Sequence, residues 1–339
     1  MKSLKFGICE PGIRHKSCHP PKNIASRFRM VQDAGVFDYI DVTPAPNEVN
    51  EYEKCAQRFD IPILAGSRNY ILGKEENELF DNLRIGAHLG SVVHNTQVFM
   101  DHEDGHLISN EEVAQIYIEA YDLGHKVGCI PTFEIHVNMW SEKFSRVSEV
   151  AELVQKQGIP FGITLDHSHV IFKIDNPSEL AVFGVDKEVK SGELVLDPFA
   201  EDNVFTQWIN QGLVKHAHAR SVSPNNPKNI VAAHPDINKL RSSLHPKSVQ
   251  GRGIQYPFKQ PNAGEWHAPW QESDLAPWKQ VVRMLMTYHA NNDESELQTI
   301  STEFIPFTDY GEGAGYSLLE QNAACAEWLR TTWQQLYNH

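Results

Sequence analysis

The chain has 339 residues, of which 41% are hydrophobic, enough to bury a large core as one barrel or as two smaller domains. Its 30 Lys and Arg against 44 Asp and Glu give a formal charge of −14, and no basic cluster offsets this charge, so nucleic acid is not an expected partner. The five cysteines are odd in number and lack CxxC spacing, which argues against a disulfide framework and against a thiolate zinc site.

Strand-like and helical patterns alternate along the chain. Strands are predicted at residues 5–9, 39–42, 61–65, 91–100, 132–137, 161–169, 214–218 and 299–305. Helices are predicted at residues 23–34, 48–59, 75–87, 111–126, 141–157, 203–210, 282–290 and 317–337. Eight strands alternating with about eight helices imply a parallel sheet that closes on itself. We therefore predict an α/β fold, a single-domain (β/α)₈ TIM barrel spanning residues 1–339.

The ends of the chain and its apolar runs bear on location. The N-terminus runs straight into a strand without an apolar signal core, and no hydrophobic run is long enough to cross a membrane. We therefore expect a cytoplasmic protein that does not bind membranes.

A long segment at residues 219–276 separates the seventh strand from the next helix and is rich in Pro, Asn, His and Gly. A βα loop of this length is usually functional or mobile, so we predict a lid over the C-terminal face of the barrel. Trp266 in this segment offers an aromatic face on which a sugar ring could stack. The alternative is that Trp266 attaches the loop to the barrel.

Ligand-type side chains follow four consecutive predicted strands, the fifth to the eighth. They are Glu134, Asp166, the pair His216 and His218, and Glu303. In a parallel barrel all these strand ends meet at one face, where reactive groups are found. Two Glu, one Asp and at least one His suit a hard or borderline divalent cation. The sequence thus predicts a metal site at this face.

The order Glu134, Asp166-x-x-His169, His216-x-His218, Glu303 resembles the xylose isomerase-like TIM-barrel superfamily, and the resemblance extends over residues 4–337. It implies one bound divalent metal, and the implied ligands are Glu134, Asp166, His218 and Glu303. It also implies that His169 contacts substrate oxygens, while His216 packs within its strand. Further expected substrate contacts are His136, Arg220 and Trp266. The chain departs from the pattern at Arg220 and Ser221, where many relatives carry an acid, and at Pro224, where the epimerases place an Arg.

The chemistry implied is proton abstraction α to a carbonyl, through an enediolate, with Glu134 and Glu303 as the acid–base pair. We expect a metal-dependent isomerase or epimerase of a sugar or keto-sugar, with Mn²⁺ as the ion and Mg²⁺, Co²⁺, Fe²⁺ or Zn²⁺ as alternatives. A lyase acting on 3-keto-glycosides, or a dehydratase, needs the same site.

Two other classes of function stay open at this point. One is a barrel that keeps the ligands but is non-catalytic or depends on a partner subunit; a homo-oligomer and a complex with a second subunit are the two assemblies considered. The other is a nuclease resembling endonuclease IV, whose three zinc ions require further ligands; His94, His102 and His106 are the residues available. The acidic charge disfavours the nuclease.

Overall fold

The parallel strands of this computed structural model close into a barrel. The structure describes residues 2–15, 21–182, 184–225, 255–266, 268–306 and 315–336. The strands are β1 (Lys5–Cys9), β2 (Tyr39–Asp41), β3 (Ile63–Tyr70), β4 (Val93–Val98), β5 (Ile130–Glu134), β6 (Ile163–Asp166), β7 (Val214–Ala219) and β8 (Thr299–Thr302). Each pairs in parallel with the next, and β8 pairs with β1. The predicted TIM barrel is confirmed.

Helices occupy the connections between the strands. They are α1 (Ile24–Ala34), α2 (Val49–Phe59), α3 (Glu76–Leu89), α4 (Asn110–Val127), α5 (Ser145–Gln155), α6 (Ser168–Ile171), α7 (Pro177–Val182), α8 (Val185–Ser191), α9 (Val204–Asn210), Ala276–Asn291 and Leu318–Gln335. Short 3₁₀ turns lie at Glu10–Gly12, Trp140–Glu142 and Glu272–Leu275. Among the described helices, none combines the length and the apolar character needed to span a bilayer.

Several element boundaries differ from the sequence prediction, among them the end of β6 and the start of the helix Ala276–Asn291. Strand β6 ends at Asp166, and the next residues turn into α6, so His169 lies on a helical turn and not on the strand. The helix predicted at 282–290 begins earlier, at Ala276, with Pro277 in its first turn. Proline suits that position because its missing N–H has no partner there in any helix.

The register of the last strands brings the predicted ligands to one level. Glu134 lies opposite Thr164, Asp166 opposite His218, and His218 opposite Ser301. Side chains alternate along each strand, so Phe133 and Leu165 join the hydrophobic core while their polar neighbours face inward. The barrel interior at this end is therefore lined by buried polar groups.

The segment after β7 returns to the mouth of the barrel. The Tyr256 N–H donates to the Ser221 carbonyl at 2.8 Å, and the Ser221 hydroxyl donates to the Tyr256 carbonyl at 2.6 Å. The Gln255 amide exchanges hydrogen bonds with the Ile305 backbone at 3.0 and 3.2 Å. Residues 226–254 and 267 of the predicted lid lie outside the described residues, so the lid stays a prediction.

Candidate metal centre

Three of the four predicted metal ligands converge at the C-terminal end of the barrel. The His218 Nδ1 atom lies 3.5 Å from Glu134 Oε1 and 3.4 Å from Glu303 Oε1. The three ligand atoms lie within 4.8 Å of one another. Glu134 and His218 are fully buried, while the Glu303 side chain is 14% exposed. A group entering the site therefore approaches from the Glu303 side.

Two of these ligand atoms have no hydrogen-bond partner among the described residues. They are Glu134 Oε1 and His218 Nδ1. Leaving a buried polar atom unsatisfied typically costs about 1–3 kcal/mol, and more when the atom is charged. A divalent cation between two carboxylates and an imidazole would satisfy both atoms at once. The residues present thus fit the metal that the sequence predicts.

The second oxygen of Glu134 is held by amides from β4. Glu134 Oε2 accepts hydrogen bonds from Asn95 Nδ2 at 2.6 Å and from Gln97 Nε2 at 2.5 Å. Burial raises the pKa of Glu134, but His218 outweighs it, and the pKa falls to about 2. Burial raises the pKa of Glu303, and its contacts with His218 and Arg220 only partly oppose this effect. The pKa of Glu134 is therefore lowered and the pKa of Glu303 is raised relative to an ordinary glutamate.

The fourth predicted ligand, Asp166, is paired with Arg220. Arg220 Nη2 donates to Asp166 Oδ2 at 2.6 Å, and His169 Nε2 lies 3.2 Å from the same oxygen. The same guanidinium nitrogen contacts His169, and Arg220 Nε lies 3.5 Å from Glu303 Oε2. Burial raises the pKa of Asp166, but Arg220 and His169 hold it well below its usual range. A buried arginine thus connects Asp166 to Glu303.

Asp41, at the end of β2, belongs to the centre although the sequence analysis did not select it. Its Oδ2 lies 3.3 Å from His218 Nε2 and 3.5 Å from His216 Nε2, and it accepts a hydrogen bond from Ser301 at 2.7 Å. Burial raises the pKa of Asp41, but His216 and His218 hold it well below its usual range. Because the Asp41 carboxylate faces Nε2 of His218, it keeps the imidazole proton on Nε2. The Nδ1 atom of His218 is then unprotonated and faces Glu134.

One signal in the sequence could have identified Asp41. Strand β2 ends in a carboxylate, as β6 does, and the last residues of barrel strands face the site.

An Asp41→Asn variant is expected to bind Mn²⁺ about 10- to 100-fold more weakly, because outer carboxylates that orient a ligating His contribute on this scale. Titration against a chromophoric chelator measures the affinity, and ¹⁵N NMR of the histidines reports the His218 tautomer. The matched control is Asp38→Asn, which removes a charge just before β2, at the position that accepts the Phe6 N–H. Unchanged affinity and tautomer in Asp41→Asn would refute the orienting role.

The remaining predicted substrate contacts lie in different surroundings. His136 packs on His169, with ring centroids 3.8 Å apart, so it borders the centre. The Trp266 ring packs on Tyr256 at 6.0 Å and on Tyr316 at 5.9 Å. This packing is what the alternative predicts, in which Trp266 attaches the segment to the barrel.

The histidines considered for a three-zinc centre do not join the three converging ligands. His94 is buried and hydrogen-bonded to the Tyr70 hydroxyl at 2.7 Å. His102 and His106 form a separate group with Asp104 in the loop after β4.

Comparison with solved structures finds this fold at very low sequence identity. A xylose isomerase-like TIM barrel protein from Mycobacterium smegmatis, in complex with magnesium, is 12% identical with a TM-score of 0.58, covering 100% of this chain and 99% of that chain. A probable 3-DHS dehydratase from Bacillus anthracis is 12% identical with a TM-score of 0.55, covering 96% and 99%. D-allulose 3-epimerase from Methylomonas sp. is 10% identical with a TM-score of 0.53, covering 98% and 99%.

No protein-family model matches the chain, and no sequence match is found among the curated proteins. The structural likeness establishes the fold of the xylose isomerase-like TIM barrels.

Proposed function

We propose that this protein is a divalent-metal-dependent isomerase or epimerase that moves a proton at the carbon α to the carbonyl of a sugar or keto-sugar. The observation that supports it most directly is the convergence of Glu134 Oε1, His218 Nδ1 and Glu303 Oε1, the first two of which are buried and have no hydrogen-bond partner in the described part of the chain. The fold is shared with an epimerase of D-allulose.

The ion would be held by Glu134, His218 and Glu303, with Asp166 as the fourth ligand. One imidazole with three carboxylates suits Mn²⁺, and Mg²⁺, Co²⁺, Fe²⁺ and Zn²⁺ are the alternatives. When bound, it supplies Lewis-acid stabilisation to the negative charge that develops on the substrate oxygen. Asp166 lies outside the group of three converging ligand atoms and accepts a hydrogen bond from Arg220 at 2.6 Å, so its side chain would have to move toward the ion to join them.

Glu134 and Glu303 are proposed to exchange the proton with the substrate carbon. The Asn95 and Gln97 amides fix the orientation of the Glu134 carboxylate. Glu134 would therefore exchange the proton on one face of the substrate carbon. Glu303, the more exposed of the two, acts from the mouth of the barrel. Two opposed groups of this kind would epimerise a carbon, while transfer between neighbouring carbons would isomerise an aldose and a ketose.

Arg220 and His169 are proposed to bind the substrate oxygens. Both are buried beside Asp166, and both can donate hydrogen bonds to hydroxyl or carbonyl oxygens. His136, packed on His169, would complete this side of the site. Trp266 is proposed as a more peripheral contact.

Deuterium exchange tests the proposal. The Mn²⁺-loaded protein is incubated in D₂O with ketoses, aldoses and 3-keto-glycosides, and mass spectrometry locates the label. We expect metal-dependent incorporation at the carbon α to the carbonyl of at least one sugar. The His218→Ala variant, which removes the neutral metal ligand, is expected to lose it.

The other outcomes distinguish the alternatives. Release of an aglycone or water without a new stereoisomer would identify a lyase or dehydratase. Tight metal binding without exchange in any sugar would contradict an autonomous isomerase, and would favour a barrel that needs a second subunit.

A further inference from the structure

A second group of metal-ligating side chains lies in the loop after β4. Residues 101–107, here called the histidine hairpin, are closed by an antiparallel bridge between Asp101 and Leu107. The His102 N–H donates to the His106 carbonyl at 2.9 Å, and the Gly105 N–H donates to the His102 carbonyl at 2.9 Å. Gly105 adopts φ +88°, a conformation that favours glycine. The backbone hydrogen bonds thus fix the positions of the Cα atoms of His102 and His106.

Both histidines of the hairpin direct Nδ1 at one carboxylate oxygen. Asp104 Oδ1 lies 3.1 Å from His102 Nδ1 and 2.5 Å from His106 Nδ1, and the two rings stack at 4.5 Å. The three ligand atoms lie within 4.8 Å of one another. Two ligands about 2.1 Å from a tetrahedral ion are roughly 3.4 Å apart. An ion would therefore fit after side-chain shifts of less than about 1 Å.

The opposite nitrogen of His106 is held by a second carboxylate. His106 Nε2 lies 2.9 Å from Glu112 Oε1. Glu112 is itself fixed by the capping box of α4, in which its Oε2 accepts the Ser109 N–H at 2.7 Å. In this structure both ring nitrogens of His106 are hydrogen-bonded to carboxylates, so an ion on Nδ1 would replace the proton shared with Asp104, while the proton on Nε2 would stay directed at Glu112. This is the arrangement in which an outer carboxylate orients a metal-ligating histidine.

The other histidine is seated against a glycine. A Cβ atom at Gly73 would lie 2.4 Å from Cε1 and 2.5 Å from Nε2 of the His102 ring, so only glycine leaves room for the imidazole. The Glu103 N–H also donates to the Leu72 carbonyl at 2.9 Å. The hairpin is therefore attached to the loop after β3 on one side and to α4 on the other.

We propose that His102, Asp104 and His106 bind one transition-metal ion of the Zn²⁺, Co²⁺ or Ni²⁺ class, with Glu112 positioning His106. Two imidazoles favour these ions over Mg²⁺ or Ca²⁺, which prefer oxygen ligands. The site shares no residue with the candidate metal centre formed by Glu134, His218 and Glu303. Its role is structural, because the ion fixes the hairpin between the loop after β3 and helix α4.

Zn²⁺ titration of the chelator-treated full chain, against a chromophoric chelator, tests the site. We expect the wild type to bind two Zn²⁺ per chain, the His102→Asn/His106→Asn variant to lose one, and His218→Ala to lose the other. Glu112→Gln should weaken the hairpin ion about 10- to 100-fold. Glutamine keeps the capping box, so this loss would not reflect a damaged helix. His88→Asn, an exposed histidine on α3, should retain both ions.

The visible absorption of bound Co²⁺, whose intensity distinguishes tetrahedral from octahedral coordination, provides a second readout at about one equivalent per chain. Far-UV circular dichroism checks that each variant is folded. The proposal is overturned if the His102→Asn/His106→Asn variant binds as much Zn²⁺, as tightly, as the wild type. It is also overturned if the wild type binds a single ion that His218→Ala removes.

Discussion

A Glu303→Gln variant is expected to exchange deuterium into its sugar about 10²- to 10⁴-fold more slowly than the wild type, which is the usual contribution of a positioned acid or base. Glutamine keeps the size of the side chain and a carbonyl oxygen for the metal, but it cannot exchange a proton with the substrate. The glutamine oxygen can take the position of Glu303 Oε1, which lies 3.4 Å from His218 Nδ1. The variant should therefore keep part of its metal affinity. The measurement is the initial exchange rate at saturating Mn²⁺.

The matched control for this variant is Glu296→Gln. Glu296 forms an ion pair with Lys215 at 2.6 Å, and its side chain is 62% exposed, so its removal leaves the centre intact. We expect the control to exchange at the rate of the wild type. If Glu303→Gln exchanged as fast as the control, Glu303 would not be the proton-exchanging group, and its role would be limited to metal binding.

A Lys173→Met variant is expected to lose about 3–5 kcal/mol of the free energy of unfolding, because it removes the buried cation that pairs with two buried carboxylates. Lys173 Nζ lies 2.9 Å from Glu142 Oε1 and 3.4 Å from Glu179 Oε2, and all three side chains are fully buried. Glu142 Oε2 also accepts the N–H of Asn138, whose φ is +66°. The lysine thus joins the loop after β5 to the segment after β6.

Urea unfolding measures this loss. Lys190→Met is the control, since Lys190 pairs with Asp186 at 2.7 Å with 77% of its side chain exposed, and exposed pairs contribute at most about 1 kcal/mol. Adding Glu142→Gln and Glu179→Gln to Lys173→Met should recover much of the loss, because the two side chains that pair with Lys173 are then neutral as well. If Lys173→Met lowered the free energy of unfolding as little as Lys190→Met does, the proposed role of the buried lysine would be contradicted.

The lysine network also bears on the site. The two segments that Lys173 joins carry His136 and His169, whose rings pack 3.8 Å apart beside the centre. Loss of the buried cation therefore disturbs the side of the site proposed to bind the substrate.

The architecture of this protein was determined by its sequence. Apolar residues at strand and helix spacing alternate through the chain, and this alternation allows a closed parallel barrel. The positions of Glu134, His218 and Glu303 followed from the same pattern, since residues that end parallel strands must meet at one face. Boundaries were predicted less well. His169 was assigned to a strand, although the chain turns into α6 directly after Asp166.

Only the tertiary structure decided which groups each ligand contacts. Asp41 reaches His218 across 177 positions of sequence, Arg220 lies between Asp166 and Glu303, and Lys173 joins two loops. These contacts depend on the register of the closed sheet and on how buried side chains satisfy one another's charges. Local periodicity reports which face a residue occupies, but it carries no information about its partner across the barrel.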